Sequence, residues 1–155
     1  MSKPSARKPD VVSSGYETSI KRTVLAAVLV VLGIAWMAVY YTVARDAALA
    51  VPGAKKPSNP IPFMADLEKW NYLIGFVLIF AGLAVSAHKS TPMGRGRGVV
   101  IGMLGCFLIG LVWIVGFYFI GTDSSVPVLD DLGQYNLLVG IGFMAVGFTF
   151  ATKWE

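Results

Sequence analysis

Residues 99–120 read VVIGMLGCFLIGLVWIVGFYFI, with no side chain that is charged at neutral pH. The uncharged run around them, from Arg97 to Asp123, holds 25 residues. An α-helix rises about 1.5 Å per residue and a bilayer core is about 30 Å thick, so about 20 apolar residues make one crossing. The run is apolar all round and does not alternate, which selects helix over the strand of a membrane barrel. Three more such gaps lie between Arg22 and Arg45, Lys69 and Lys89, and Asp131 and Lys153, holding 22, 19 and 21 residues. The chain therefore predicts as an all-α integral membrane protein with four transmembrane helices, at residues 23–43, 71–87, 99–120 and 136–151. Composition agrees: 55% of residues are hydrophobic, 14% are charged and mean hydropathy is +0.67, against roughly 25% charged in soluble chains. The first apolar run is longer than the 7–15 residues of a leader's core, and it is expected to be retained.

Four crossings place both ends on one side. That side holds Lys3, Arg7, Lys8, Lys21, Arg22, Lys89, Arg95, Arg97 and Lys153, nine of the thirteen basic residues. The other side holds Arg45, Lys55, Lys56 and Lys69. Positive charge accumulates in the cytoplasm, so both termini are expected there, in a plasma-membrane protein with a basic face on anionic lipid. Gly94-Arg95-Gly96-Arg97-Gly98 reads as a short flexible turn carrying inside-positive charge, with no nucleic acid implied.

The chain also repeats itself. Leu32-Gly33-Ile34-Ala35-Trp36 returns as Ile109-Gly110-Leu111-Val112-Trp113, and Tyr41 returns as Tyr118, at an offset of 77. Asp66-Leu67-x-x-Trp70-Asn71 returns as Asp131-Leu132-x-x-Tyr135-Asn136, and Gly75 and Gly82 return as Gly140 and Gly147, at an offset of 65. Each repeat is a two-span hairpin, and an even number of spans gives both copies the same orientation, as in parallel-repeat membrane proteins. The expected organisation is a basic tail at 1–22, a first hairpin at 23–88, a cytoplasmic linker at 89–98 and a second hairpin at 99–155.

Trp36, Trp70, Trp113 and Tyr135, with Tyr41, Tyr72 and Tyr118, fall near the outer ends of the spans and are expected to form an aromatic belt at headgroup level. Gly98, Gly102, Cys106 and Gly110 recur every fourth residue, and Gly75/Gly82 and Gly140/Gly147 stand two turns apart. Small residues let helix backbones approach closely in lipid, so these positions are expected to pack helices within the bundle. Cys106, the one cysteine, has no partner for an intrachain disulfide and reads as a small packing residue.

Chemistry is not visible. No acid, lysine or histidine sits mid-span, where transporters and pumps keep one, and residues 23–43 lack the acid a proton-coupled exporter needs. His88 falls at an inner span end without companion ligands. No phosphate loop, cysteine pair or zinc-helix motif occurs, so no enzyme activity, metal or cofactor is expected. The outer acids Asp66, Asp123, Asp130 and Asp131 read as solvated loop residues, with the Asp130-Asp131 pair setting the start of the fourth span.

Gly110-Leu-Val-Trp-Ile-Val-Gly-Phe-Tyr118, Leu132-x-x-Tyr135-Asn136-Leu-Leu-Val-Gly140-Ile-Gly-Phe143 and the ending Thr152-Lys153-Trp154 resemble the CrgA family of actinobacterial cell-division proteins, also called septation inhibitors. Gly33-Ile-Ala-Trp36 and Phe63-Met-Ala-Asp66-Leu-Glu-Lys-Trp70-Asn71-Tyr-Leu-Ile-Gly-Phe76 resemble it independently. The resemblance covers residues 19–154, and its most specific element is the aromatic-Asn pair (Trp70-Asn71, Tyr135-Asn136) preceded by Gly-x-x-Trp. It implies a non-catalytic membrane adaptor at the division septum that contacts FtsZ, FtsQ and septal penicillin-binding proteins. Typical members are single hairpins, so the tandem implies either an altered family role or a second copy that replaces a partner gained by homo-oligomerising, and a homo-oligomer of this chain stays open. The tail is less basic than the family's, and Glu155 stands where a basic end is usual. Two other readings are a small transporter or channel component and an accessory subunit of another membrane complex.

Overall fold

The computed structural model describes residues 18–53, 55, 57–120 and 126–153. The basic tail up to residue 17, Lys56, Asp123, Trp154 and Glu155 lie outside them. Ser19 starts the first helix, its Oγ accepting from the Arg22 backbone N–H at 3.5 Å. Helix α1 covers Ile20–Val39, passes through a π turn at Tyr40–Ala44 and ends as α2, Arg45–Ala48. Short helix α3, Pro62–Asp66, precedes α4, Trp70–Ser86. A 3-10 turn at Pro92–Gly94 leads into α5, Arg97–Ile120, followed by short α6, Pro127–Leu132, and α7, Tyr135–Ala151. The described residues contain no strand.

Ile20–Ala48 and Arg97–Ile120 are long and apolar enough to cross a membrane, whereas α4 and α7 are shorter apolar helices. The first helix runs five residues past its expected end at 43. Its π turn is closed by the Arg45 backbone N–H on the Tyr40 carbonyl. A π turn holds one residue more than an α turn, so it swings the side chains beyond it by about 100°. Arg45 lies beyond it, and its charge is neutralised inside the fold by Asp131.

Two antiparallel hairpins result, α1 on α4 and α5 on α7, and they meet through α4 and α7. The hairpins are held by backbone approach at equivalent places. A Cβ added at Gly33 would stand 2.5 Å from the Gly75 carbonyl oxygen, and one at Gly110 would stand 2.6 Å from that of Gly140. Such contact gathers many weak dispersion contacts that a side chain would hold apart. Between the hairpins, Phe80 meets Phe143 edge to face at 5.0 Å and Phe76 meets Trp113 at 5.7 Å. One buried cluster lies toward the end carrying the two long loops (Tyr40, Met64, Tyr72, Phe76, Leu132, Phe143), and another toward the linker (Ala87, Val99, Cys106, Val146, Phe150). Each cluster draws on both hairpins.

The linker is tightly built, which corrects the expectation of a flexible turn. Thr91 is 1% exposed and its hydroxyl donates to the carbonyls of Ser86 and His88. A Cβ at Gly94 would fall 1.9 Å from the His88 carbonyl oxygen, so only glycine lets the chain double back there. The start of α1 is tied in as well: the Ser19 N–H donates to the Ser90 carbonyl at 2.8 Å, and Arg22 donates to Ser90 Oγ at 3.1 Å.

Candidate functional site

Asn71 and Asn136 begin the second helix of each hairpin, and both are fully buried. Asn71 Nδ2 donates to the Met64 carbonyl at 2.7 Å and to that of Glu68 at 2.8 Å. Asn136 Nδ2 donates to the carbonyls of Leu129 and Gly133, each at 2.7 Å. One amide thus bridges a carbonyl of the preceding short helix, Met64 or Leu129, and a carbonyl of the turn after it, Glu68 or Gly133, which satisfies both amide hydrogens of a buried side chain. The short helix is thereby folded down onto its neighbour. Both short helices open with proline, Pro62 and Pro127, where the missing N–H removes no helical bond.

The bend between the short and long helices needs a positive φ. Gly133 supplies it at φ +49°, whereas the equivalent position in the first hairpin is Glu68 at φ +44°. Gly133 also has ψ −126°, a region that side chains rarely enter. Gly133→Ala is expected to cost about 1–2 kcal/mol, read as a lower melting temperature in detergent; an unchanged value would show that the bend tolerates a side chain.

Arg45 and Asp131 join the hairpins. Arg45 Nε donates to Asp131 Oδ2 at 2.6 Å and Nη2 donates to Oδ1 at 2.8 Å. Tyr72 Oη donates to Oδ2 at 2.8 Å. The Asp131 side chain is 10% exposed, which corrects its reading as a solvated loop acid. A forked guanidinium–carboxylate pair is the strong form of ionic hydrogen bond, and here the carboxylate comes from one hairpin while both donors come from the other. The equivalent acid in the first hairpin, Asp66, is exposed.

The expected belt of rings divides in two. Trp70 and Tyr135 are more than half exposed. Trp36 instead packs on Phe63 with ring centres 6.2 Å apart, and Trp113 packs on Phe76. Both indole Nε1 atoms are buried, so these two rings point into the bundle and not to headgroups. The packing surface they complete outweighs the pull of the indole N–H toward water.

Among the small residues, Gly75 sits under Met37 and Gly140 under Ile114. Gly82 lies near the Ala26 carbonyl, and Gly147 near Phe107 and the Met103 carbonyl. Gly102 faces the Phe150 ring, with 2.4 Å to an added Cβ. Cys106 is buried in the linker-end cluster, and Gly110 approaches Gly140. Gly98 departs from its expected helix contact. It occupies the first turn of α5, where an added Cβ would meet the Pro92 carbonyl oxygen at 2.3 Å, within the linker. From sequence, Gly33 belongs to the repeat, Arg45 to the outer cations, Tyr72 to the aromatic belt and Asp131 to the outer acids, and none of the four is assigned its contact here. The repeat did align Gly33 with Gly110, which was the available signal for its close approach.

Among the described residues no group of three histidine, cysteine or acidic side chains could hold a metal ion. What the fold offers is a twice-built hairpin clamp. The family model described as "Cell division protein CrgA" matches twice, over residues 2–89 and again over residues 86–155. The chain belongs to the CrgA family. A CrgA protein of Streptomyces avermitilis is 53% identical over 53 residues, 34% of this chain and 60% of that relative. The Corynebacterium aurimucosum CrgA protein is 32% identical over 75 residues, 45% of this chain and 80% of its own length. That of Corynebacterium glutamicum strain R is 34% identical over 85 residues, 55% and 79%. All three carry the name cell division protein. This chain thus spans three fifths of the Streptomyces CrgA and about four fifths of the other two, while holding the CrgA pattern in duplicate. No solved structure matches it.

Proposed function

We propose that the chain is a non-catalytic membrane adaptor of the cell-division machinery, crossing the plasma membrane four times with both ends in the cytoplasm. The double match to the family model carries this reading. The outward faces support the membrane part. In the most apolar stretches of Ile20–Ala48 and Arg97–Ile120 only 17% and 22% of residues are buried inside the fold, whereas the core helix of a soluble protein would be mostly covered. Val24, Leu25, Val31, Leu108, Val112 and Phe119 all face outward, an apolar area that water disfavours. Helices α4 and α7, at 17 residues each, reach about 25 Å and stand at the short end of spanning lengths.

As an adaptor the chain would position division proteins through its wet surfaces and exposed helix faces. FtsZ on the cytoplasmic side, and FtsQ and the septal penicillin-binding proteins, are the partners proposed from family resemblance. In a CrgA-depleted actinobacterial host, a fluorescent fusion of the full chain is expected to concentrate at septa and to co-purify with division proteins under mild detergent. A uniform envelope signal, with recovery of respiratory or transport complexes instead, would overturn the division role. Reporters on the two ends should both read cytoplasmic; opposite readings would overturn the four-span arrangement.

A further inference from the structure

At the loop end a cleft of about 250 Å³ opens between α4 and α7, floored by Phe76, Phe80 and Val139. Leu73 and Leu138 form its walls and are 50% and 61% exposed. The lining is almost all carbon. A water molecule held there would lack the two to four polar partners it requires, so the natural filling is hydrocarbon. A helix with its side chains is about 10–12 Å across, too broad for so small a cleft, whereas a single acyl chain is narrow enough.

The mouth carries charge. Lys69, on the first hairpin, holds its Nζ 5.3 Å from the centre of the Tyr135 ring on the second, so the ammonium stands over the cleft. Among the described residues the one salt bridge is Arg45–Asp131, and Lys69 forms none. Trp70 and Tyr135 flank the opening with rings that are 60% and 53% exposed, the amphipathic side chains suited to headgroup depth. Lys69 aligns with Gln134 in the second hairpin, so the duplicated fold carries this cation once.

We propose that this cleft binds one anionic phospholipid, its acyl chain between α4 and α7 and its phosphate on Lys69. The proposal rests on the membrane reading above and adds to it a defined site that holds the two hairpins to a lipid. A cation with no carboxylate partner, at the rim of an apolar slot, complements a negative headgroup joined to a hydrocarbon tail.

The test uses the full chain in phosphatidylcholine vesicles and the fluorescence of Trp70. Equal mole fractions of brominated phosphatidylglycerol or brominated phosphatidylcholine are added as quenchers. Phosphatidylglycerol is expected to quench roughly two- to fivefold more effectively, the range that one lysine at a membrane surface supports. The preference should vanish in Lys69→Gln, persist in Lys55→Gln and lose its amplitude in Trp70→Phe. Equal quenching by the two lipids, or a preference that survives Lys69→Gln, would overturn the site while leaving the membrane reading intact. Quenching by neither lipid would overturn the membrane reading and the site with it. Rapid disulfide cross-linking of Leu138→Cys chains in the vesicles would assign the cleft to a second copy and overturn the lipid.

Discussion

Gly110→Leu is expected to destabilise the fold by about 3 kcal/mol, the upper part of the range for overpacking a closed interior. The reason is the identity of the atom it meets. An added Cβ would lie 2.6 Å from the Gly140 carbonyl oxygen, with Met144 Cγ at 3.0 Å and Phe143 Cβ at 3.2 Å. A flexible side chain could swing aside, but a backbone carbonyl inside a helix moves only if the helix moves. Helices α5 and α7 would separate, and the contacts along their length would loosen together. For a chain of this size the loss corresponds to a melting temperature lower by about 6–12 °C, read by circular dichroism in detergent. Gly105 on the same helix meets nothing within 4 Å of an added Cβ, so Gly105→Leu serves as the control and should melt close to the native chain. Equal melting of the two variants would remove the close approach from the explanation of the hairpin.

The second large effect is expected at the junction of the hairpins. Asp131→Ala deprives Arg45 of both its carboxylate oxygens and Tyr72 of its acceptor. The Arg45 and Asp131 side chains are 19% and 10% exposed, so water compensates only in part. Leaving a largely enclosed cation unpaired costs about 2–3 kcal/mol, somewhat below the value for a fully buried pair. Because Arg45 and Asp131 act as a unit, the double variant Arg45→Leu/Asp131→Ala should recover part of that loss. The coupling between the two sites, read from a double-mutant cycle on thermal unfolding, is expected to reach about 1–2 kcal/mol. Strictly additive losses would show that the two residues do not depend on each other.

Much of this architecture is legible in the letters. Four uncharged stretches place helices whose ends fall within three residues of α4, α5 and α7, because long apolar runs leave little choice of structure. The duplication is equally plain, since Trp36 and Trp113, and Asn71 and Asn136, stand at constant offsets. What the letters hide is direction. Trp36 and Trp113 sit where interfacial rings are expected, yet face inward because Phe63 and Phe76 offer them a surface. Asn71 and Asn136 look like polar residues at a helix start, and their use as clamps depends on a preceding short helix that only the prolines at 62 and 127 announce. Asp131 reads as one more loop acid because its partner is 86 residues away in the chain, beyond any local pattern. The same distance conceals why the first helix continues to Ala48: the charge of Arg45 ends the apolar run in sequence but is neutralised in space.

That ionic contact is also made only once. The buried asparagines, the paired glycines and the inward tryptophans have counterparts in the two halves, whereas Arg45 aligns with no basic residue in the second half and Asp66 is left on the surface. A pair of separate, identical hairpins would have to carry both charges in every copy and would present two like flanks. Within one chain the two halves need not be alike, so this molecule has a left and a right that differ chemically. Whatever reads the flank bearing that bond finds it with a valency of one.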